Sequence, residues 1–232
     1  MASCSDDKTI KIFNIKEKEY ELLQTLNYHT NYVYKIIELK NKNLVSWSYD
    51  SSIIFYINDN NEYKKNYQIS TNEKECYHII QTKENEICFS EYKCKFINLN
   101  LEEYKGICFF DLNERKIKSS IKDINTQNFI MITNELLLIP GYDKLSIINV
   151  YQYRLVRVVD ITNSGYIYGV CMLNNNMLLT GDSDKVIRQW RIEGDNLILM
   201  SIKGNVHDNG VSVLLNKGDR HIVSGSDDIK IW

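Results

Sequence analysis

The stretch Thr180-Gly-Asp-Ser-Asp184-Lys-Val-Ile-Arg-Gln-Trp190 sets an aspartate turn between two strand-like runs and ends on a tryptophan. The chain rewrites this phrase as Ser3-Cys-Ser-Asp-Asp7-Lys-Thr-Ile-Lys-Ile-Phe13, as Ser46-Trp-Ser-Tyr-Asp50-Ser-Ser-Ile-Ile-Phe-Tyr56 and as Ser224-Gly-Ser-Asp-Asp228-Ile-Lys-Ile-Trp232. A weaker copy is Ile139-Pro-Gly-Tyr-Asp143-Lys-Leu-Ser-Ile-Ile-Asn149. In each copy a strand residue stands four places before the aspartate. In all but the last an aromatic, or its replacement, stands six places after it.

The aspartates give the period. Asp7 and Asp50 are 43 apart, Asp143 and Asp184 are 41 apart, and Asp184 and Asp228 are 44 apart, while the 93 between Asp50 and Asp143 leaves room for one more unit. Six units of roughly 40–45 residues, each with about four short strands, are the signature of a β-propeller. Labelling the strands of a blade a to d from the axis outward, the second to fifth units read as complete. The first supplies b, c and d, and the sixth supplies a, b and c. This predicts 22 strands whose two ends duplicate rather than complement each other: an all-β, partial and open array of about five to six blades over residues 1–232, cut from a longer propeller protein. The third unit lacks a turn aspartate and carries an extra segment, Glu91–Lys105, which reads as a long hairpin, an extension of b and c, or a loop.

Through its Ser or Thr, Asp and Trp positions, together with His29 and His207, the chain resembles the WD-repeat (WD40) family over almost its whole length. The resemblance implies a line of hydrogen bonds that pins each blade: His29, Ser46, Asp50 and Tyr56 in the second, Thr180, Asp184 and Trp190 in the fifth, and His207, Ser224, Asp228 and Trp232 in the sixth. The fifth unit has Ser164-Gly165 in place of the histidine. The turn of the sixth is two residues short, which puts its aspartate-to-tryptophan contact in question. The resemblance also implies that partners dock on the end bearing the d-to-a and b-to-c loops. There the chain presents Tyr32, Tyr34, Tyr49, Tyr142, Tyr166 and Tyr168, with Asp6, Ser183 and Asp227 beside the turn aspartates. Tyrosine offers rigid contact area and a hydroxyl at low entropy cost. The extra segment should overhang this end and add Tyr92, Phe96 and Tyr104.

The recurring Ser-His-Asp set also fits a hydrolase triad on paper. A nucleophile must be exposed beside an oxyanion site, however, and this serine falls in mid-sheet, so a structural role is expected. The formal net charge of −2 gives no field that gathers nucleic acid or an anionic membrane. The six cysteines form no C-x-x-C pair and the four histidines no metal-ligand spacing. No glycine run forms a phosphate cradle. No N-terminal signal and no apolar run near 18 residues occurs. The expectation is a non-catalytic scaffold for protein or peptide partners, with no cofactor or metal, placed in the cytoplasm or nucleus. A permanently bound assembly subunit is the alternative, and a propeller hydrolase the third reading.

Overall fold

The computed structural model describes the chain except residues 17–18, 71–77, 95–103, 125, 127, 163 and 219–220, and of 91–94 and 104–105 the backbone only. The described residues form 22 strands in six antiparallel sheets, each a meander in chain order. The fold is an all-β propeller type, and each sheet is one blade. Contacts divide the chain into two compact units, Met1–Asp123 and Ile124–Trp232.

The first unit holds three sheets. They are β1 (Ala2–Cys4), β2 (Ile10–Lys16) and β3 (Glu19–Leu26); β4 (Val33–Glu38), β5 (Leu44–Ser48), β6 (Ser52–Asp59) and β7 (Glu62–Ser70); and β8 (Ile79–Lys83), β9 (Glu86–Cys94), β10 (Tyr104–Asp111) and β11 (Lys116–Lys122). The second unit holds β12 (Ile130–Met131), β13 (Leu136–Pro140), β14 (Lys144–Asn149) and β15 (Arg154–Asp160); β16 (Ile167–Asn174), β17 (Met177–Asp182), β18 (Ile187–Glu193) and β19 (Asn196–Lys203); and β20 (Val213–Gly218), β21 (His221–Gly225) and β22 (Ile229–Ile231). The first and last sheets have three strands each.

Side chains alternate across a strand and paired residues share a side, so a sheet with a motif Ser or Thr has a serine face, on the side of that residue, and a reverse face. One packing rule holds within each unit. The reverse face of the first sheet (Ala2, Cys4, Ile10, Ile12) lies on the serine face of the second (Val33, Leu44, Ile54, Tyr56). The reverse face of the second (Val45, Trp47, Ile53, Phe55) lies on Ile79, Ile87, Phe89 and Phe110 of the third. In the second unit, Leu138, Leu145 and Ile147 of the fourth sheet meet Val170, Leu178 and Trp190 of the fifth. Cys171, Leu179 and Ile187 on the fifth sheet's reverse face then meet Leu214, Val206 and Val211 of the sixth blade. Each such side chain contributes about 1.5–3 kcal/mol by leaving water. Covered on both sides, β5 and β17 are buried along almost their whole length rather than at alternate residues. The outer strands β11 and β15 are largely exposed and lysine- or arginine-bearing, which protects a sheet edge.

The extra segment of the third unit resolves in part. β9 and β10 pair from Glu86↔Asp111 out to Cys94↔Tyr104, with an irregularity between Tyr104 and Gly106. Both ends of Glu91–Lys105 therefore continue the b–c hairpin. Phe96 and the side chains of Tyr92 and Tyr104 lie outside the described residues.

Gly106 sits in β10 with φ +154°, and a Cβ there would fall on the Ile121 carbonyl oxygen of the paired strand β11. Gly204 has open space around it. Gly106→Ala should therefore lower unfolding stability by about 1–3 kcal/mol, whereas Gly204→Ala should stay within about 0.5 kcal/mol of wild type. Urea denaturation of both variants checks this; equal effects would show that close backbone approach does not decide the matter.

Candidate functional site at the loop end of the blades

In an antiparallel meander the d-to-a loop and the b-to-c turn emerge at the same end of a blade. A histidine just before strand a and an aspartate just after strand b are therefore brought together. In the second blade His29 Nδ1 lies 2.8 Å from Asp50 Oδ2, and its Nε2 lies 2.7 Å from Ser46 Oγ. Ser46 Oγ is 3.0 Å from the Tyr56 hydroxyl. Asp50 also accepts the Thr30 N–H at 2.9 Å and the Ser52 hydroxyl at 2.5 Å. Burial would raise the Asp50 carboxyl, but the bonds from His29, Ser52 and Thr30 outweigh it and hold it at about 2. Burial pushes the Tyr56 hydroxyl far above its usual range, so it remains a phenol.

The sixth blade repeats the line with an indole. Trp232 Nε1 donates to Ser224 Oγ at 2.7 Å, Ser224 Oγ lies 2.7 Å from His207 Nε2, and His207 Nδ1 bonds Asp228. An indole N–H only donates and a carboxylate only accepts, so Trp232 donates to Ser224 and His207 Nδ1 donates to Asp228; in the neutral ring Nε2 then accepts the Ser224 hydroxyl. That assigns the His207 proton to Nδ1, facing the carboxylate. The bond from His207 is the main cause holding the Asp228 carboxyl below its usual range.

The short turn of the sixth blade leaves this line intact. Ser46 pairs with Ile54, two residues before Tyr56, and Thr180 pairs with Arg188, two before Trp190. Ser224 pairs with Lys230, again two before Trp232. The missing pair of residues comes wholly out of the turn. Cross-strand register, not residue count through the turn, sets the contact.

The fifth blade departs from expectation. Trp190 Nε1 donates to Thr180 Oγ1 at 2.9 Å, as the motif implies. Asp184, however, is exposed, and its backbone N–H donates to Asp182 Oδ1 at 3.0 Å. No hydrogen bond joins its carboxylate to Thr180 or Trp190. The buried acid is Asp182, which pairs with the buried Arg188 and also accepts the Val186 N–H at 3.1 Å. Burial raises the Asp182 carboxyl against those contacts. The physical reason is the missing histidine: Ser164-Gly165, in its place, give their backbone N–H groups to Asp143 of the preceding blade, each at 2.8 Å. Sequence reading missed the Asp182–Arg188 pair. The available signal was an arginine two before the tryptophan in a blade without a histidine.

The tyrosines form one cluster in each unit. In the first, Tyr34 and Tyr49 have ring centroids 4.5 Å apart, and Tyr32 and Tyr49 6.3 Å apart. Tyr32 and Tyr34 are about half exposed and Tyr49 is half-buried. A hydrogen bond with Tyr49, and next to it burial, push the Tyr34 hydroxyl up to about 12. In the second unit Tyr142 meets Tyr166 edge-on at 5.0 Å, and Tyr166 stacks on Tyr168 at 6.0 Å. Ser183 Oγ accepts the Tyr166 N–H at 3.1 Å. Asp227 is exposed and accepts from Asn209.

A solved chain from a crystal structure of the mitotic checkpoint complex superimposes with a TM-score of 0.79 at 13% identity, covering 100% of this chain and 70% of that one. That likeness shows the fold, a WD40-type propeller. With 1217 solved chains matching, the shared shape does not single out an activity. No family model matches the sequence. No curated protein matches it either.

Ser224 and His207 are buried with their bonding capacity spoken for. His207→Ala should cost about 1–3 kcal/mol by leaving Ser224 and Asp228 without their shared partner, and a serine-directed covalent probe should leave Ser224 unlabelled. Unchanged stability, or labelling, would contradict a structural role. The Asp50 carboxyl, lowered from 3.8 to about 2, contributes stability that is complete above its unfolded value. That contribution is lost as pH falls through its folded one. With solvent screening at the turn it amounts to roughly 1–2 kcal/mol. The stability gap between wild type and Asp50→Asn in urea should close as pH is lowered through this window, and a constant gap would refute the assignment.

Proposed function

We propose that this chain is a non-catalytic platform that binds protein or peptide partners at the loop end of its blades. The observation that carries the reading is the pair of tyrosine clusters: Tyr32, Tyr34, Tyr142 and Tyr166 remain 45–57% exposed although each packs against another ring. Rings braced on a rigid scaffold lose little freedom on binding, and aromatic anchors of this kind dominate interfaces. Tyr49, Ser183 and Asp227 border them. Tyr92 and Tyr104 lie on the extended b–c hairpin at the same end of its blade, and Phe96, outside the described residues, is included from the sequence alone. The similar solved chain comes from a multiprotein complex, in keeping with protein partners.

Absence of catalysis is supported by burial. Ser46 and Ser224 are 0% exposed, each hydrogen-bonded to a histidine and to the polar group of an aromatic side chain, which disfavours access by a substrate. A cytoplasmic or nuclear setting is in keeping with Cys4 and Cys171, which are free thiols. The near-balanced charge argues for protein over nucleic-acid partners.

The test compares proteins retained by immobilised wild type, by Tyr32→Ala/Tyr34→Ala and by Tyr142→Ala/Tyr166→Ala, with thermal unfolding in parallel. The expected result is a loss of specific partners of tenfold or more in affinity for at least one pair, about 1.4 kcal/mol or more, with unfolding unchanged. Partners kept at full affinity by both variants would refute the docking end. Loss of stability instead would assign these rings to the fold.

A further inference from the structure

The second and fifth blades each build the same kind of site against the turn of the blade before. The Val33 N–H donates to the Ser5 carbonyl at 3.1 Å and the Tyr49 N–H to the Tyr32 carbonyl at 2.9 Å. In the fifth blade the Ile167 N–H donates to the Gly141 carbonyl at 3.2 Å and the Ser183 N–H to the Tyr166 carbonyl at 2.8 Å. These matched bonds put Asp6, Tyr32, Tyr34 and Tyr49 in register with Tyr142, Tyr166, Tyr168 and Ser183. Each set is complete within its own unit. Where Tyr142 sets a ring edge-on to Tyr166, the first set has a carboxylate, and where Ser183 stands it has a third ring. Tyr34 packs on Tyr49 and stays half exposed. After the Tyr49 hydrogen bond and burial, the charges of Tyr49 and Asp6 help to raise the Tyr34 hydroxyl, so the carboxylate stands within electrostatic reach of that side chain. Asp6 is exposed, and among the described residues no hydrogen bond or ion pair engages its carboxylate. Lys11 pairs with Asp7 instead, at 3.5 Å, and Lys8 of the same turn forms no ion pair.

Building on the docking end above, on which this rests, we propose that the set of Asp6, Tyr32, Tyr34 and Tyr49 takes an arginine side chain of a peptide or protein partner, its guanidinium over the Tyr34 face and turned to the Asp6 carboxylate. The first unit already contains the same contact in full. The Arg115 guanidinium carbon lies 4.3 Å from the centre of the Tyr67 ring, and Tyr67 is braced from behind by Phe55, stacked at 4.2 Å. Burial raises the Tyr67 hydroxyl, Arg115 opposes the rise, and the nearby Asp111 carboxylate adds to it. Tyr34, braced by Tyr49 and faced by Asp6, has the ring, the brace and the acid, and lacks the cation. A cation is drawn to a ring face by its quadrupole, and an unpaired carboxylate beside that face adds a counter-charge. Arginine fits better than lysine, because a guanidinium is planar and weakly hydrated and stacks on a ring while its fork still reaches an acid. A nucleic acid or an anionic membrane would bring phosphate, which Asp6 repels.

The probes are two end-blocked peptides, Gly-Gly-Arg-Gly-Gly and its counterpart with neutral citrulline for arginine, titrated into the full chain with isotope-labelled tyrosine rings. The arginine peptide should shift the ring signals of Tyr32, Tyr34 and Tyr49 saturably, and roughly tenfold more tightly than the citrulline peptide. Asp6→Asn should unfold at the wild-type temperature, weaken the arginine peptide by about threefold or more, and leave the citrulline peptide unchanged. Equal affinity for the two peptides overturns the proposal, since no cation is then being read. So does the absence of a saturable shift, or one confined to other tyrosines. An Asp6→Asn variant that binds the arginine peptide as wild type does also overturns it, as does one that melts early, which would assign the carboxylate to the fold. Immobilised Asp6→Asn separates this proposal from the docking end itself. Partners lost by Tyr32→Ala/Tyr34→Ala but kept at full affinity by Asp6→Asn would leave the docking end standing and remove the arginine.

Discussion

A sheet of three or four strands has two faces and cannot bury either one alone. That constraint governs this chain. Within each of the two units a blade meets it by lending its reverse face to the next, so the apolar cores lie between sheets. Stability in such an array is a sum of blade terms and neighbour terms, and most of the apolar burial sits in the neighbour terms. The constraint explains why the interior strands carry apolar residues on both sides, and why the outer strands, with one edge open, take lysine and arginine.

Within that scheme the hydrogen-bond lines solve a second problem. A serine held in mid-sheet, between two packed faces, has a hydroxyl that must be bonded or cost about 1–3 kcal/mol. Ser46 and Ser224 are satisfied from both sides, by a histidine and by the hydroxyl of Tyr56 or the indole N–H of Trp232. The line runs out to the aspartate at the turn, where charge can meet water. The acceptor at its end also fixes the turn: Asp50 accepts the Thr30 N–H as well as bonding His29, tying the d-to-a loop to the b-to-c turn. The fifth blade reaches a comparable end differently, with Arg188 and Asp182 supplying a buried ion pair under the same turn.

How much of this was legible in the sequence depends on whether the chemistry sits at a fixed register. Ser, Asp and Trp recur visibly because each must occupy one position in a hydrogen-bonded line, and that was enough to read six blades and the end at which their loops meet. The third blade was harder because its face is held by Ile79, Ile87, Phe89 and Phe110, where any apolar residue of suitable size serves and no motif is required. Asp184 was read into the fifth line because it stands in the motif column. The register of the strands could not be seen from one chain, and without a histidine to reach, that carboxylate faces solvent while Asp182 turns inward. The doubt over Trp232 had the opposite origin. Counting residues through the turn made the sixth blade look defective, whereas counting cross-strand pairs from Ser224 puts Trp232 where Tyr56 and Trp190 stand in theirs.

The same reasoning separates a Ser-His-Asp line from a catalytic triad that shares its atoms. In both, Nε2 faces the serine and Nδ1 the carboxylate, so distances within the trio decide nothing. What differs is the fourth partner. A nucleophilic hydroxyl needs a free lone pair pointed at a substrate, with donors waiting for the oxyanion. In Ser224 the indole N–H of Trp232 already occupies the oxygen, and its proton is committed to His207. In Ser46 the Tyr56 hydroxyl stands in the same place. The aromatic that gives the repeat its sequence signature is thus also the fourth member of the serine's hydrogen-bonded line.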